Sequence, residues 1–163
     1  MRENVTRFFF DTEFAEDGRT IDLISIGMVC DDGAELYFES REILPEDCNA
    51  WVRENVLPKL RGGDAMRQNR DIARRILEFV TEHTRPGTSP EFWTYFGAYD
   101  WVLLCQLYGT MMDLPKGWPY FSMDLKQHAA ERGTDVYQDD NSDAHNALAD
   151  ARWVKKTWEG LNQ

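Results

Sequence analysis

The sequence predicts an α/β fold: a mixed five-stranded sheet, an antiparallel meander followed by parallel strands, flanked by helices. Three observations carry that expectation. Residues 8–14 read FFFDTEF, a run apolar on both faces, as a central strand must be. Two more β-rich segments follow it with only short turns between them. Helical spacing begins after residue 47, and from there helices alternate with single strands. The 163 residues suffice for one domain, residues 1–163, with a sizeable core.

The elements can be justified in order. The first strand covers residues 7–14, and Glu16-Asp17-Gly18-Arg19 forms the turn after it. TIDLISIGMVC, residues 20–30, alternates and is rich in β-branched side chains, so it makes the second strand. Asp31-Asp32-Gly33 is a hairpin turn leading to AELYFES, residues 34–40, the third strand. A short helix is expected over 47–55, stopping near Pro58, and a longer one over 71–83, where Ile72, Ile76, Phe79 and Val80 recur at helical spacing. EFWTYFG, residues 91–97, reads as the fourth strand, parallel to the first, and residues 99–108 as a helix. A short fifth strand is expected at 119–122, a helix over 124–132, a polar loop YQDDNSD at 137–143 and a final helix over 144–159. The apolar stripe of that last helix is Ala147, Leu148, Ala151, Val154 and Trp158. The order βββ-α-β-α-β-α corresponds to a ribonuclease-H-like architecture.

Composition narrows the function. The chain is 42% hydrophobic and 29% charged, as globular proteins are, and it lacks a long apolar run. Met1 to Phe10 carries no apolar leader segment, so a cytoplasmic protein is expected. Cys30, Cys48 and Cys105 show no CxxC spacing and read as reduced, mostly buried thiols. A net charge of −11 argues against coating nucleic acid through a broad basic surface, but not against gripping a few nucleotides.

Asp11 and Glu13 stand two apart at the end of the first strand, so they point to one face. Two ionised carboxylates side by side repel, and burial raises the cost. A divalent cation removes that repulsion, and hard oxygen ligands suit Mg²⁺ or Mn²⁺. Asp100, in FGAYDWVLLCQL, follows the fourth strand and opens a helix. It reads either as a helix-dipole acid or as a third carboxylate at the same sheet edge. DAHNALAD places His145 five residues before Asp150, and Asp150 borders the apolar stripe of the last helix. An acid facing a sheet needs a partner. His83 reads as a helix-end residue and His128 as exposed.

These residues together resemble the DEDDh 3′–5′ exonucleases. Their D-x-E motif is matched by Asp11 and Glu13, their second acid by Asp100, and their H-x4-D motif by His145 and Asp150. The tyrosine branch of the superfamily would want Tyr at position 146, where Asn146 stands. FFFDTEFAEDGRTIDLISIGMV and GAYDWVLLCQLYGTMMDLP are similar to the small bacterial exoribonucleases specific for polyadenylate. One departure is Gly97-Ala98-Tyr99-Asp100, where many relatives carry N-x-x-F-D.

The resemblance implies a two-metal hydrolase with two Mg²⁺ (or Mn²⁺) ions, held by Asp11, Glu13, Asp100 and Asp150, with His145 as general base. It implies a single-stranded RNA substrate with a free 3′ end, release of 5′-mononucleotides, a preference for adenine tracts and a homodimer. Phe14 is the expected base-stacking residue, with Thr12 and Ile26 as further substrate contacts. The scattered basic residues, among them Arg67, Arg70, Arg74, Arg75 and Lys116, read as solvated faces. Two alternatives stand beside this reading: a proofreading-type DNA exonuclease, and an inactive ribonuclease-H-like binding module.

Overall fold

A computed structural model describes residues 4–138 and 144–163. Strands β1 (Val5–Glu16), β2 (Ile21–Cys30) and β3 (Glu35–Ser40) form the expected antiparallel meander. Helix α1 (Ala50–Asn55) follows, then strand β4 (Met66–Arg67), helix α2 (Asn69–His83), strand β5 (Ser89–Thr94) and helix α3 (Ala98–Gln106). Strand β6 (Met123–Asp124) and helices α4 (Leu125–Glu131) and α5 (Ala147–Leu161) complete the chain.

The sheet has six strands in the order β4-β3-β2-β1-β5-β6, one more than expected. The extra strand, β4, is two residues long and joins the edge beside β3, in parallel. Two residues carry no periodicity, so pairing alone defines it. The short strand expected at 119–122 lies instead at Met123–Asp124, paired with Trp93 and Thr94 of β5. Pro119 has no N–H to give a ladder, and Tyr120 and Phe121 face solvent. The fourth strand of the meander-plus-helix order ends at Thr94 rather than Gly97, because Phe96 takes a left-handed backbone and Ala98 already begins α3. The loop expected at 137–143 falls largely outside the described residues.

Strand β1 is central and buried on both faces, as its sequence requires. Phe8, Phe9 and Phe10 are completely buried. Phe8 and Phe10 join the core formed with α2 and α3, while Phe9 packs on the other face against Trp93, Val154 and Trp158. Burial of each ring contributes about 1.5–3 kcal/mol. The stripe of α5 is the expected one: Ala147, Leu148, Ala151, Val154 and Trp158 are all buried against the sheet. Among the described residues, no helix is long and apolar enough to cross a membrane.

Candidate active site

Two local devices bring the carboxylates together. The first is the pleat of β1, which sends Asp11 and Glu13 to the α5 face. A bulge between Glu13 and Phe14 ends the regular pairing with β2 immediately after the second acid. The second is Gly27, the cross-strand partner of Asp11. A Cβ there would stand 2.3 Å from Leu148 Cα. Glycine thus lets the first turn of α5 lie directly on β2 next to Asp11, and that turn carries Asp150.

The result is a compact donor set. Carboxylate oxygens of Asp11, Glu13 and Asp150 lie within 4.8 Å of one another. Glu13 and Asp150 are buried and Asp11 is half-buried. Asp100, also buried, is held by β1 from its other side: its Oδ1 accepts the Thr12 N–H at 2.9 Å and the Thr12 hydroxyl at 2.5 Å.

The electrostatics follow from burial and like charge. Burial, then Asp100, Glu13 and Asp150, push the Asp11 carboxyl well above the usual carboxylate range. Burial, then Asp150 and Asp100, push Glu13 up to about 8, with Lys59 partly opposing them. Burial raises Asp100 to about 6 against the two bonds from Thr12. Burial also raises Asp150, opposed by Gln138, the His145 N–H and the charges of His145 and Lys59. Carboxylates that resist ionisation this strongly, with their oxygens turned together, form a hard-oxygen cage. That donor set fits Mg²⁺ or Mn²⁺.

The five-residue spacing of His145 and Asp150 has a local cause. Asn146 caps α5, its side chain accepting the Ala149 N–H at 3.1 Å. Asp150 reaches back one turn, and its Oδ2 accepts the His145 N–H at 3.0 Å. His145 sits at φ 63°, a left-handed conformation that this bond helps to hold. Its ring meets Trp51 of α1 edge-on, centroids 4.9 Å apart. The Lys59 ammonium donates to the Ala144 carbonyl one residue earlier.

The remaining expected contacts divide. Phe14 is half-buried and packs edge-to-face on Tyr99, 5.5 Å away, whose ring is 46% exposed. Ile26 is completely buried in the core with Phe8 and Phe10, so its side chain offers no surface to a substrate. Thr12 is buried too, and both its N–H and its hydroxyl are committed to Asp100, which makes it a support for that acid. Among the other histidines, His83 Nδ1 lies 2.7 Å from Asp32, while His128 is half-buried edge-on to Trp93 rather than exposed. Trp51, Lys59, Gln138 and Gly27 escaped the sequence reading, since none belongs to a spaced motif.

Comparison with known proteins bears on the family and the fold. The family model for the 3′-5′ exoribonuclease Rv2179c-like domain matches residues 6–161. The chain is 46% identical over 149 residues to the 3′-5′ exoribonuclease Rv2179c of Mycobacterium tuberculosis strain H37Rv, covering 90% of this chain and 87% of that one. Among solved structures, it is similar to the nuclease domain of 3′hExo, a DEDDh family member bound to rAMP. The TM-score is 0.62 at 12% identity, with 99% and 94% of the two chains covered. A 3′-exonuclease that recognises the histone mRNA stem-loop is similar at TM-score 0.58 and 12% identity, over 98% of this chain and 64% of that one. At such identities the structures speak for the fold alone: the ribonuclease-H-like sheet of the DEDDh nucleases.

Proposed function

Because the chain belongs to the Rv2179c-like 3′-5′ exoribonuclease domain family, we propose that Asp11, Glu13, Asp100, His145 and Asp150 are its active site. Residues 1–163 act as one metal-dependent exonuclease domain on the 3′ ends of single-stranded RNA. The observation that carries the reading is the convergence of Asp11, Glu13 and Asp150 oxygens within 4.8 Å, beside a fourth buried acid.

Asp11, Glu13, Asp150 and Asp100 would hold two divalent cations, Mg²⁺ or Mn²⁺. Such cations neutralise charge on a phosphodiester and make a water more acidic. The protein's own residues do the rest. Thr12 fixes the Asp100 carboxylate through two hydrogen bonds. Asp150 and Lys59 fix the backbone on either side of the His145 amide. The imidazole of His145 then accepts the proton of the attacking water, a role that needs its neutral form. The scissile bond to the 3′-terminal nucleotide breaks and a 5′-mononucleotide leaves. Phe14, with Tyr99 beside it, and the 51% exposed Trp51 offer rings on which terminal bases stack. Stacking serves any base, so the preference for adenine tracts that the family resemblance implies would rest on other contacts. A cytoplasmic setting is supported by three free, buried cysteines. Assembly as a homodimer belongs to the same proposal, and sedimentation of the purified protein tests it.

The decisive experiment incubates the enzyme with 5′-labelled RNA and DNA oligomers, adenine tracts included, in Mg²⁺, Mn²⁺ or EDTA. A one-nucleotide ladder from the 3′ end of RNA, absent in EDTA, is the expected result. Internal cuts, or equal action on DNA, defeat it. His145→Ala lowers kcat by about 10²–10⁴-fold; near-normal turnover would remove it from the chemistry.

A further inference from the structure

The chain carries a second feature suited to a polyanion, away from the carboxylates. At the open edge of the sheet a cavity of about 520 Å³ is lined by Arg41, Arg67, Arg70 and Arg74, with Asp71 as the one acid among its lining residues. Four guanidinium groups against one carboxylate leave three positive charges, in a chain whose net charge is −11. Asp71 pairs with Arg67 at 3.3 Å and with Arg74 at 2.6 Å, and Arg74 also reaches Glu78. Arg41 and Arg70 are exposed, and among the described residues their side chains hold no carboxylate or carbonyl. A solvated helix face scatters its charges and pairs them with nearby acids. Here two unpaired forks from different elements, the end of β3 and the first turn of α2, open into one concavity.

The cavity is in register with the active site. Glu13 pairs with Ser25, Ser25 with Glu39, and Glu39 with Met66. Three inter-strand steps of about 4.8 Å separate the Glu13 and Met66 positions by roughly 14 Å along the sheet. The cavity's guanidinium of Arg67 lies over Phe38 on the α2 face, so a strand passing from the carboxylates to it rounds the end of the sheet. Strands β1, β3 and β4 run in the same direction, so Arg41 and Arg67 leave the sheet at the end where Glu13 does. A strand of RNA held by its 3′ end at the carboxylates extends beyond the site. The chain's net charge of −11 opposes that strand unless a local cluster of cations holds it.

We infer that the Arg41–Arg70 cavity is a phosphate-binding exosite for the RNA backbone upstream of the nucleotides being cleaved. Guanidinium forks take phosphate oxygens two at a time and read no base, which suits a strand that must advance after every cut. The inference rests on the exoribonuclease reading for its substrate, but not for its test.

The test uses Arg41→Ala/Arg70→Ala, two exposed unpaired positions, with thermal denaturation to verify folding. Small single-strand binding domains cover about 4–16 nucleotides, so RNAs of about 3 and about 12 nucleotides separate the two sites. For the longer RNA, KM should rise roughly tenfold with kcat unchanged. For the shorter one, neither should move. The slope of log affinity against log salt should fall by about 0.7 for each phosphate that the variant no longer neutralises. Equal KM values for variant and parent on the long RNA overturn the inference, as does an equal loss on the short one. Fluorescence anisotropy of the same RNAs in EDTA keeps it separate from catalysis. If no RNA is cleaved but binding still depends on Arg41 and Arg70, the exosite stands and the catalytic reading falls. Inorganic phosphate competing as well as the longer RNA marks a small-anion site and overturns it.

Discussion

Gly27→Ala adds one methyl group and strikes at the way the two halves of the site are joined. The new Cβ would lie 2.3 Å from Leu148 Cα and N and 2.5 Å from the Ala147 carbonyl carbon. All three are backbone atoms in the first turn of α5, so no side chain can rotate away. Ordinary contact begins at 3.4 Å, so the helix start must retreat by about 3.4 − 2.3 = 1.1 Å. Gly27 is paired with Asp11, and the retreating turn carries Asp150 with His145 just ahead of it. The displacement therefore enlarges the gap between Asp150 and the pair on β1. A misplacement of about 1 Å costs on the order of 100-fold in rate. Overpacking of this kind lowers stability by about 1–3 kcal/mol, which for a chain this long shifts Tm by only about 2–4 °C per kcal/mol. The assay is kcat on a short RNA at a temperature well below Tm, with circular dichroism to verify the fold. A folded variant with unchanged kcat would refute the argument that close helix–sheet contact sets the site.

Three further outcomes follow from the same geometry. A carboxyl whose pKa rises on folding favours the fold at low pH and withdraws that support as pH climbs through its folded-state value. Asp100, raised from 3.8 to about 6, and Glu13, raised from 4.5 to about 8, thus make the metal-free protein lose stability from about pH 4 to about pH 8. Mg²⁺ or Mn²⁺ should therefore raise Tm more at pH 8 than at pH 6, and a rise that is absent or larger at pH 6 contradicts the cage. Thr12→Val removes the 2.5 Å hydroxyl bond that helps keep Asp100 ionised, so the acid limb of the kcat–pH profile should move to higher pH while Thr12→Ser restores it; an unmoved limb counts against a positioning role. Phe14→Ala should raise KM for short RNA by the equivalent of about 1–3 kcal/mol of stacking, with little change in Tm; an unchanged KM removes Phe14 from the pocket.

What the sequence disclosed, and what it withheld, follows the range of the interactions. The pleat of β1 and the stripe of α5 are local periodicities, so the pairing of Asp11 with Glu13 and the inward turn of Asp150 were legible from spacing alone. Strand β4 was not, because two residues show no period and only Glu39 and Ser40 of β3 define it. Trp51 and Lys59 were hidden for a related reason. They reach His145 and Ala144 across more than 80 residues, and no spacing announces such a contact.

The middle residue of the Asp-Thr-Glu triplet shows how much a short motif can hold. Alternation sends Asp11 and Glu13 to the α5 face, where Asp150 meets them, and Thr12 to the opposite face. There, Thr12 binds Asp100 from the first turn of α3. One tripeptide thus ties two helices, on opposite faces of the sheet, to a single set of acids. The same alternation governs the phenylalanines before it, with Phe9 packed on the α5 side and Phe8 and Phe10 on the α2–α3 side. A strand clamped on both faces cannot tilt toward either helix without breaking packing on the other. That is the rigidity needed to hold mutually repelling carboxylates close enough to share a cation.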